Sequence, residues 1–170
     1  MGMKNILKQI GKLFAIAFPL VIWNGLAGVH RMFYTGYKSR KMKSFGKNSV
    51  IHFPTKLRGE QYISIGNNTS IGKNNLITAF CRGKGQPEII IGNNTAIGED
   101  CHITAINKII IGNDVLFGEK ITITDNSHGK TDIDSLKIPP LQREVFSKGA
   151  VIIGNRVWIG DIHPSSNWRF

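Results

Sequence analysis

From residue 65 the chain repeats every six residues. It reads I-G-N-N-T-S, I-G-K-N-N-L, I-T-A-F-C-R, then I-G-N-N-T-A, I-G-E-D-C-H, I-T-A-I-N-K, then I-G-N-D-V-L, F-G-E-K-I-T, I-T-D-N-S-H. A period held this long means that copies of one small unit stack on each other to bury a shared core. Each unit opens with an aliphatic or aromatic residue, usually followed by Gly, and carries turn formers at its third and fourth positions. The fifth is commonly small, as at Thr69, Thr95, Cys101, Val115 and Ser127. Positions five, six and the next one form a short strand, in which five and one share a side and six points away. Large first residues alternating with small fifth residues fill a narrow interior. Gly and Asn accept the backbone angles of the tight turn between strands. This phase places Ser127 inside and His128 outside.

A second period sits above the first. Thr78, Thr104 and Thr124 each mark the last unit of a set of three, so three six-residue faces make one 18-residue coil of parallel strands. A degenerate first coil precedes them at Phe45-Gly46, Ile51-His52 and Leu57-Arg58. Extra residues enter only after the third unit of a coil: two after Tyr62, eight after Arg82, two after Lys108 and twenty-four after His128. Insertions confined to one corner are what a solenoid allows. The reading is an all-β parallel β-helix over residues 45–163 with one long inserted loop, 129–150, an N-terminal arm, 1–44, and a tail, 164–170, that leaves the pattern.

These units resemble the hexapeptide-repeat acyltransferases, whose fold is a left-handed parallel β-helix. The left hand comes from that resemblance, because a crossover between parallel strands is otherwise right-handed. "ITDNSHG", a long loop, then "KGAVIIGNRVWIG" is similar to a segment of the branch that O-acetylates maltose, galactosides and surface polysaccharides. The resemblance implies acetyl-CoA as co-substrate, a saccharide hydroxyl as acceptor, His128 as catalytic base and a homotrimer with sites between subunits. It implies that Trp158 lines the acceptor or thioester site, and that Trp158 and Gly160 face the coenzyme A moiety. An asparagine that helps bind the acceptor in sugar acetyltransferases falls at Gly98 here, so that role is not carried over.

The residues themselves say less. An outward histidine before a long loop has the reach that a general base needs, and Asp125 and Asn126 are near enough in sequence to fix its ring and to touch substrate. A plain surface histidine in a turn would look the same. His102 is outward and reads as solvated. His52 lies in a corner, His30 in the arm and His163 in the tail. The related γ-carbonic anhydrases hold zinc on this fold with histidines five apart, and that spacing does not occur here, so no metal is expected. Gly83-Lys84-Gly85 lacks the strand–loop–helix setting of a phosphate loop.

Charge separates the arm from the repeat. The net charge is +11, and residues 1–44 hold Lys4, Lys8, Lys12, Arg31, Lys38, Arg40, Lys41 and Lys43 with no acidic residue. The seventeen-residue run Leu13 to Val29 has no charge but contains Pro19, Asn24, Gly25 and Gly28. A spanning helix needs about 20 apolar residues. The favoured placement is a helix on an anionic membrane surface, at the cytoplasmic face of the cell membrane, and a nucleic-acid partner is not expected. A true span, or a helix packed on the domain or at an oligomer interface, are the alternatives. Two cysteines, Cys81 and Cys101, do not make a disulfide framework. After Gly160 the third unit of the coil is due near position 165, but "DIHPSSNWRF" follows instead. The expectation is a C-terminally truncated chain. The rival to an active O-acetyltransferase is then a non-catalytic β-helix remnant or an oligomeric scaffold without a complete acetyl-CoA site.

Overall fold

A computed structural model describes residues 2–17, 20–81, 85–130 and 132–161. Two helices, α1 (Met3–Ala17) and α2 (Leu20–Ser39), precede a coil of short strands. The first face of the coil carries β1 (Ser44–Phe45), β4 (Ile63–Ile65), β7 (Glu88–Ile91), β10 (Lys108–Ile111) and β15 (Val151–Ile153), paired in that order. The second carries β2 (Val50–Ile51), β5 (Ser70–Ile71), β8 (Ala96–Ile97), β11 (Leu116–Phe117) and β16 (Trp158–Ile159). The third carries β3 (Lys56–Arg58), β6 (Leu76–Ala79), β9 (His102–Ala105) and β12 (Thr122–Thr124). All pairings within these faces are parallel, as in a left-handed β-helix.

The register follows the repeat. Ile65 pairs with Ile91, Ile91 with Ile111 and Ile111 with Ile153 on the first face. Leu57, Ile77, Ile103 and Ile123 stack in the same way on the third. The first residues of units in the two middle coils are buried, and Ile71, Ile77, Ile103 and Ile111 have no exposed surface. The fourth position of a unit takes up the turn: Asn48, Asn68, Asn94 and Asp114 all have φ between 52° and 58°. The third position links coils. The backbone N–H of Asn67 donates to Asn93 Oδ1 at 2.8 Å, that of Asn93 to Asn113 Oδ1 at 2.8 Å, and that of Asn113 to Asn155 Oδ1 at 2.7 Å. These bonds satisfy N–H groups that the turns leave without a strand partner. The small fifth residues do the same inside, where Thr69 Oγ1 donates to Gly92 O at 2.7 Å and Thr95 Oγ1 to Gly112 O at 3.1 Å. Glycine at the second position is a matter of clearance. A Cβ at Gly92 would lie 2.4 Å from the carbonyl oxygen of Gly112 in the next coil.

The C-terminal half of α2 packs on the first coil. Thr35 is buried, and its hydroxyl accepts from Ile51 N–H at 3.0 Å and donates to Ile51 O at 3.2 Å. The Tyr34 hydroxyl accepts from Thr55 N–H at 3.1 Å and donates to the Thr55 carbonyl. A solenoid must cover its terminal coil, and at this end α2 does so. Among the described residues no helix is long and apolar enough to cross a membrane. The tail, His163 and the dipeptide Gly83-Lys84 lie outside the described residues.

Candidate functional site

The repeat phase fails at the third unit of the fourth coil. It predicts Ser127 inside, but Asp125 takes the buried place and Ser127 is exposed. The cause is a hydrogen-bonding group at the corner. The Asp125 carboxylate accepts from the backbone N–H groups of Ile106 (3.0 Å), Asn107 (2.8 Å) and Lys108 (2.7 Å), the corner of the preceding coil. The Asn126 side-chain amide donates to Asp125 Oδ1 at 3.0 Å and to Thr104 O at 3.2 Å. Pinned there, the chain leaves the coil. It forms an antiparallel hairpin of β13 (Asn126–His128) and β14 (Val145–Ser147), joined through the short helix α3 (Ile133–Leu136). It rejoins the coil at Val151, which pairs with Ile109.

The hairpin is held along its length. Asp132 caps α3 by accepting from Ser135 N–H at 2.7 Å, a bond that holds its carboxyl below the usual range. Arg143 Nε donates to Ile138 O at 2.7 Å, and Gly129 N–H donates to Glu144 O at 2.9 Å. Between hairpin and coil lies a cavity of about 370 Å³, with Thr124, Asp125, Asn126, Ser127, Phe146 and Lys148 in its wall. A second cavity on the hairpin, with Ser127, Phe146 and Lys148 in its wall, also takes in Lys130, whose ammonium lies 5.4 Å from the Phe146 ring centroid.

The sequence-stated candidates fall into two groups. Asp125, Asn126 and His128 are consecutive on one corner, but they do different things. Asp125 and Asn126 are bound to the preceding coil and do not orient the histidine. His128 is exposed, pairs in register with Val145, and among the described residues its ring has no hydrogen-bond partner. It follows Ser127 in the strand but lines neither of these two cavities. Trp158 stands apart on the second face, three-quarters exposed, in register with the exposed Leu116. Trp158, like His128, is absent from the walls of both hairpin cavities. Gly160 is exposed, and an added Cβ there would meet only the Trp158 ring, at 3.7 Å. His102 points outward from β9. Phe146 and Lys148 were not singled out by sequence. They sit in a loop whose local signal is the Val145–Phe146 pair between Glu144 and Ser147, and an antiparallel strand in a parallel coil has no periodic mark.

Comparisons place this geometry among known proteins. No family model matches the chain. It is 42% identical over 64 residues to a protein of Escherichia coli K12 named as a lipopolysaccharide biosynthesis O-acetyl transferase, WbbJ; the match covers 35% of this chain and 32% of that protein. The chain therefore spans about a third of the curated relative it matches. Its fold is similar to that of AntD, an N-acyltransferase from Bacillus cereus solved in complex with dTDP and coenzyme A. That likeness has a TM-score of 0.51 at 17% identity and covers 74% of this chain and 67% of the other.

Proposed function

We propose that this chain, whose repeat and coil are those of the hexapeptide-repeat acyltransferases, takes part in transferring an acetyl group from acetyl-CoA to a saccharide hydroxyl during surface-polysaccharide assembly. One observation carries the reading: His128 stands exposed on the hairpin strand, where the coil breaks, directly after Ser127 of the cavity wall. The neutral imidazole takes the proton of a sugar hydroxyl as its oxygen attacks the thioester carbonyl. The tetrahedral adduct then collapses, the carbon–sulfur bond breaks, and the imidazolium returns the proton to the leaving thiolate. The short match to a protein named as an O-acetyl transferase supports the acceptor class. The coenzyme A in the solved N-acyltransferase of this fold supports the donor.

A single chain leaves the site open on one side. Among the described residues His128 has no orienting partner, and Trp158 lies on another face. The separation of His128 from Trp158 within one chain supports a homotrimer with sites between subunits. The basic arm lies on an anionic membrane and keeps the enzyme near a lipid-linked acceptor. The test is coenzyme A release from acetyl-CoA with mixed glycans, alongside calorimetric titration of coenzyme A. His128→Ala is expected to lower turnover by roughly 10²–10⁴-fold while coenzyme A binding persists. Undiminished turnover in that variant removes His128 from the chemistry. Absence of coenzyme A binding in the native chain favours the oligomeric scaffold.

A further inference from the structure

Away from the hairpin, at the opposite end of the coil, α2 and the first two coils border a third cavity, of about 410 Å³. Arg31 and His30 enter it from α2, His52 and Phe53 from the corner after β2, and Lys73 from the corner of the next coil. Asn24 stands about two helical turns before Arg31 and adds a neutral amide. Ala27 and Gly28 leave the helix side open, and a Cβ at Gly28 would meet nothing within 4 Å.

Two features set this cavity apart from a chance gap. The first is an unpaired donor. Arg31 Nε is buried and has no hydrogen-bond partner among the described residues. A buried cationic N–H without an acceptor is costly, and a guanidinium is shaped for a phosphate or carboxylate. The second is a departure from the repeat. His52 occupies the unit position that later coils fill with Gly72, Gly98 and Gly118, so the turn itself does not call for an imidazole. Every ionisable side chain in the wall is basic. Glu99 lies outside the wall and pairs with Lys73 at 3.6 Å, across a mostly exposed contact.

We propose that this cavity binds a phosphate group, with Arg31 and Lys73 supplying the charge and His30, His52 and Asn24 further donors. The Arg31 guanidinium brings its charge to the wall, and the tetrahedral oxygens face donors from both helix and coil. The phosphate could come from a lipid headgroup or from a soluble phosphate ester. The mouth is flanked by exposed apolar side chains of α2 and by Phe53, over half exposed, which suits the headgroup source. Empty, the cavity disfavours a protonated His52: burial lowers its pKa below 6.5, and Arg31 and Lys73 lower it further against the weaker opposing pull of Glu99. A bound anion reverses that sign.

The inference does not rest on acetyl transfer. It is tested on the full chain by following the His52 ring resonances through pH titrations. The probes are inorganic phosphate, glycerol 3-phosphate, and phosphatidylcholine vesicles with and without phosphatidic acid. The expected result is a saturable rise in the His52 pKa with at least one phosphate probe, and none with phosphatidylcholine alone. Response to phosphatidic acid vesicles only assigns a headgroup, and response to the soluble anions assigns a free ester. Arg31→Gln and Lys73→Gln should each weaken binding by roughly tenfold or more, as loss of a charge-assisted bond implies. Lys73 is more than half exposed and can be replaced without disturbing the fold. No response of His52 to any phosphate probe overturns the inference, and so does undiminished binding in the Lys73→Gln chain.

Discussion

Asp125 shows how one side chain can redirect a repeat. Its carboxylate accepts three backbone N–H groups from Ile106 to Lys108, partners 17 to 19 residues earlier in the chain. Removing it leaves those donors without an acceptor in a partly buried corner, and an unsatisfied buried donor costs about 1–3 kcal/mol. Asp125→Ala is therefore expected to destabilise the chain by about 3 kcal/mol in urea unfolding, and Asp125→Asn by about half of that, since one oxygen survives. An Asp125→Ala variant within about 1 kcal/mol of the native chain would mean that the corner is held by the strands alone. The sequence places Asp125 and Asn126 beside His128, as orienting groups and contacts for substrate. In the structure both are bound to the coil behind them. A carboxylate two residues from a histidine gives no sign of donors that only stacking brings near. His128 itself was legible as an outward residue at an interrupted corner.

At the scale of the element, the unit is a turn with clearance on one side. Gly112 and Gly154 hold the same place in two successive units on the same face, so sequence treats them alike. Their surroundings differ. An added Cβ at Gly112 would sit 2.6 Å from Asn155 Oδ1 and 2.7 Å from the backbone of Gly154, while one at Gly154 meets nothing within 4 Å. Overpacking of this kind typically costs about 1–3 kcal/mol. Gly112→Ala is expected to lose stability within that range and Gly154→Ala to stay near native, read as the difference in unfolding midpoint between the two variants. Equal losses in both would show that the glycine serves the turn's own backbone rather than coil-to-coil distance. The strand register from Leu57 to Ile159 was legible because a six-residue period fixes which side chains stack. The β13–β14 hairpin was not, since its length and direction depend on where Asp125 stops the coil, and no period runs through it.

Over the whole molecule, charge and apolar surface are divided between the two ends of the chain. The arm 1–44 accounts for eight of the eleven net positive charges. Helix α1 has Met3, Leu7, Ile10 and Leu13 exposed on one side, with Lys4, Lys8 and Lys12 interleaved. The proposed membrane contact would set this apolar side into the interface and its lysines toward anionic headgroups. Helix α2 plays a different part, because Tyr34 and Thr35 fasten it over the first coil and cover Ile51. The two helices are therefore separable. Deleting residues 2–17 should leave the coil folded and abolish flotation with vesicles rich in phosphatidylserine. Deleting through Ser39 should also unfold the first coil, seen as an earlier thermal transition. The charge contribution is measured by replacing Lys4, Lys8 and Lys12 together with Gln. At about 1 kcal/mol for each basic residue near an anionic surface, partition should weaken on the order of 100-fold in low salt, and by less as salt screens the native chain. Retained partition in the triple variant at low salt would place the membrane contact on the apolar face alone, and retained flotation without α1 would remove the helix from the contact.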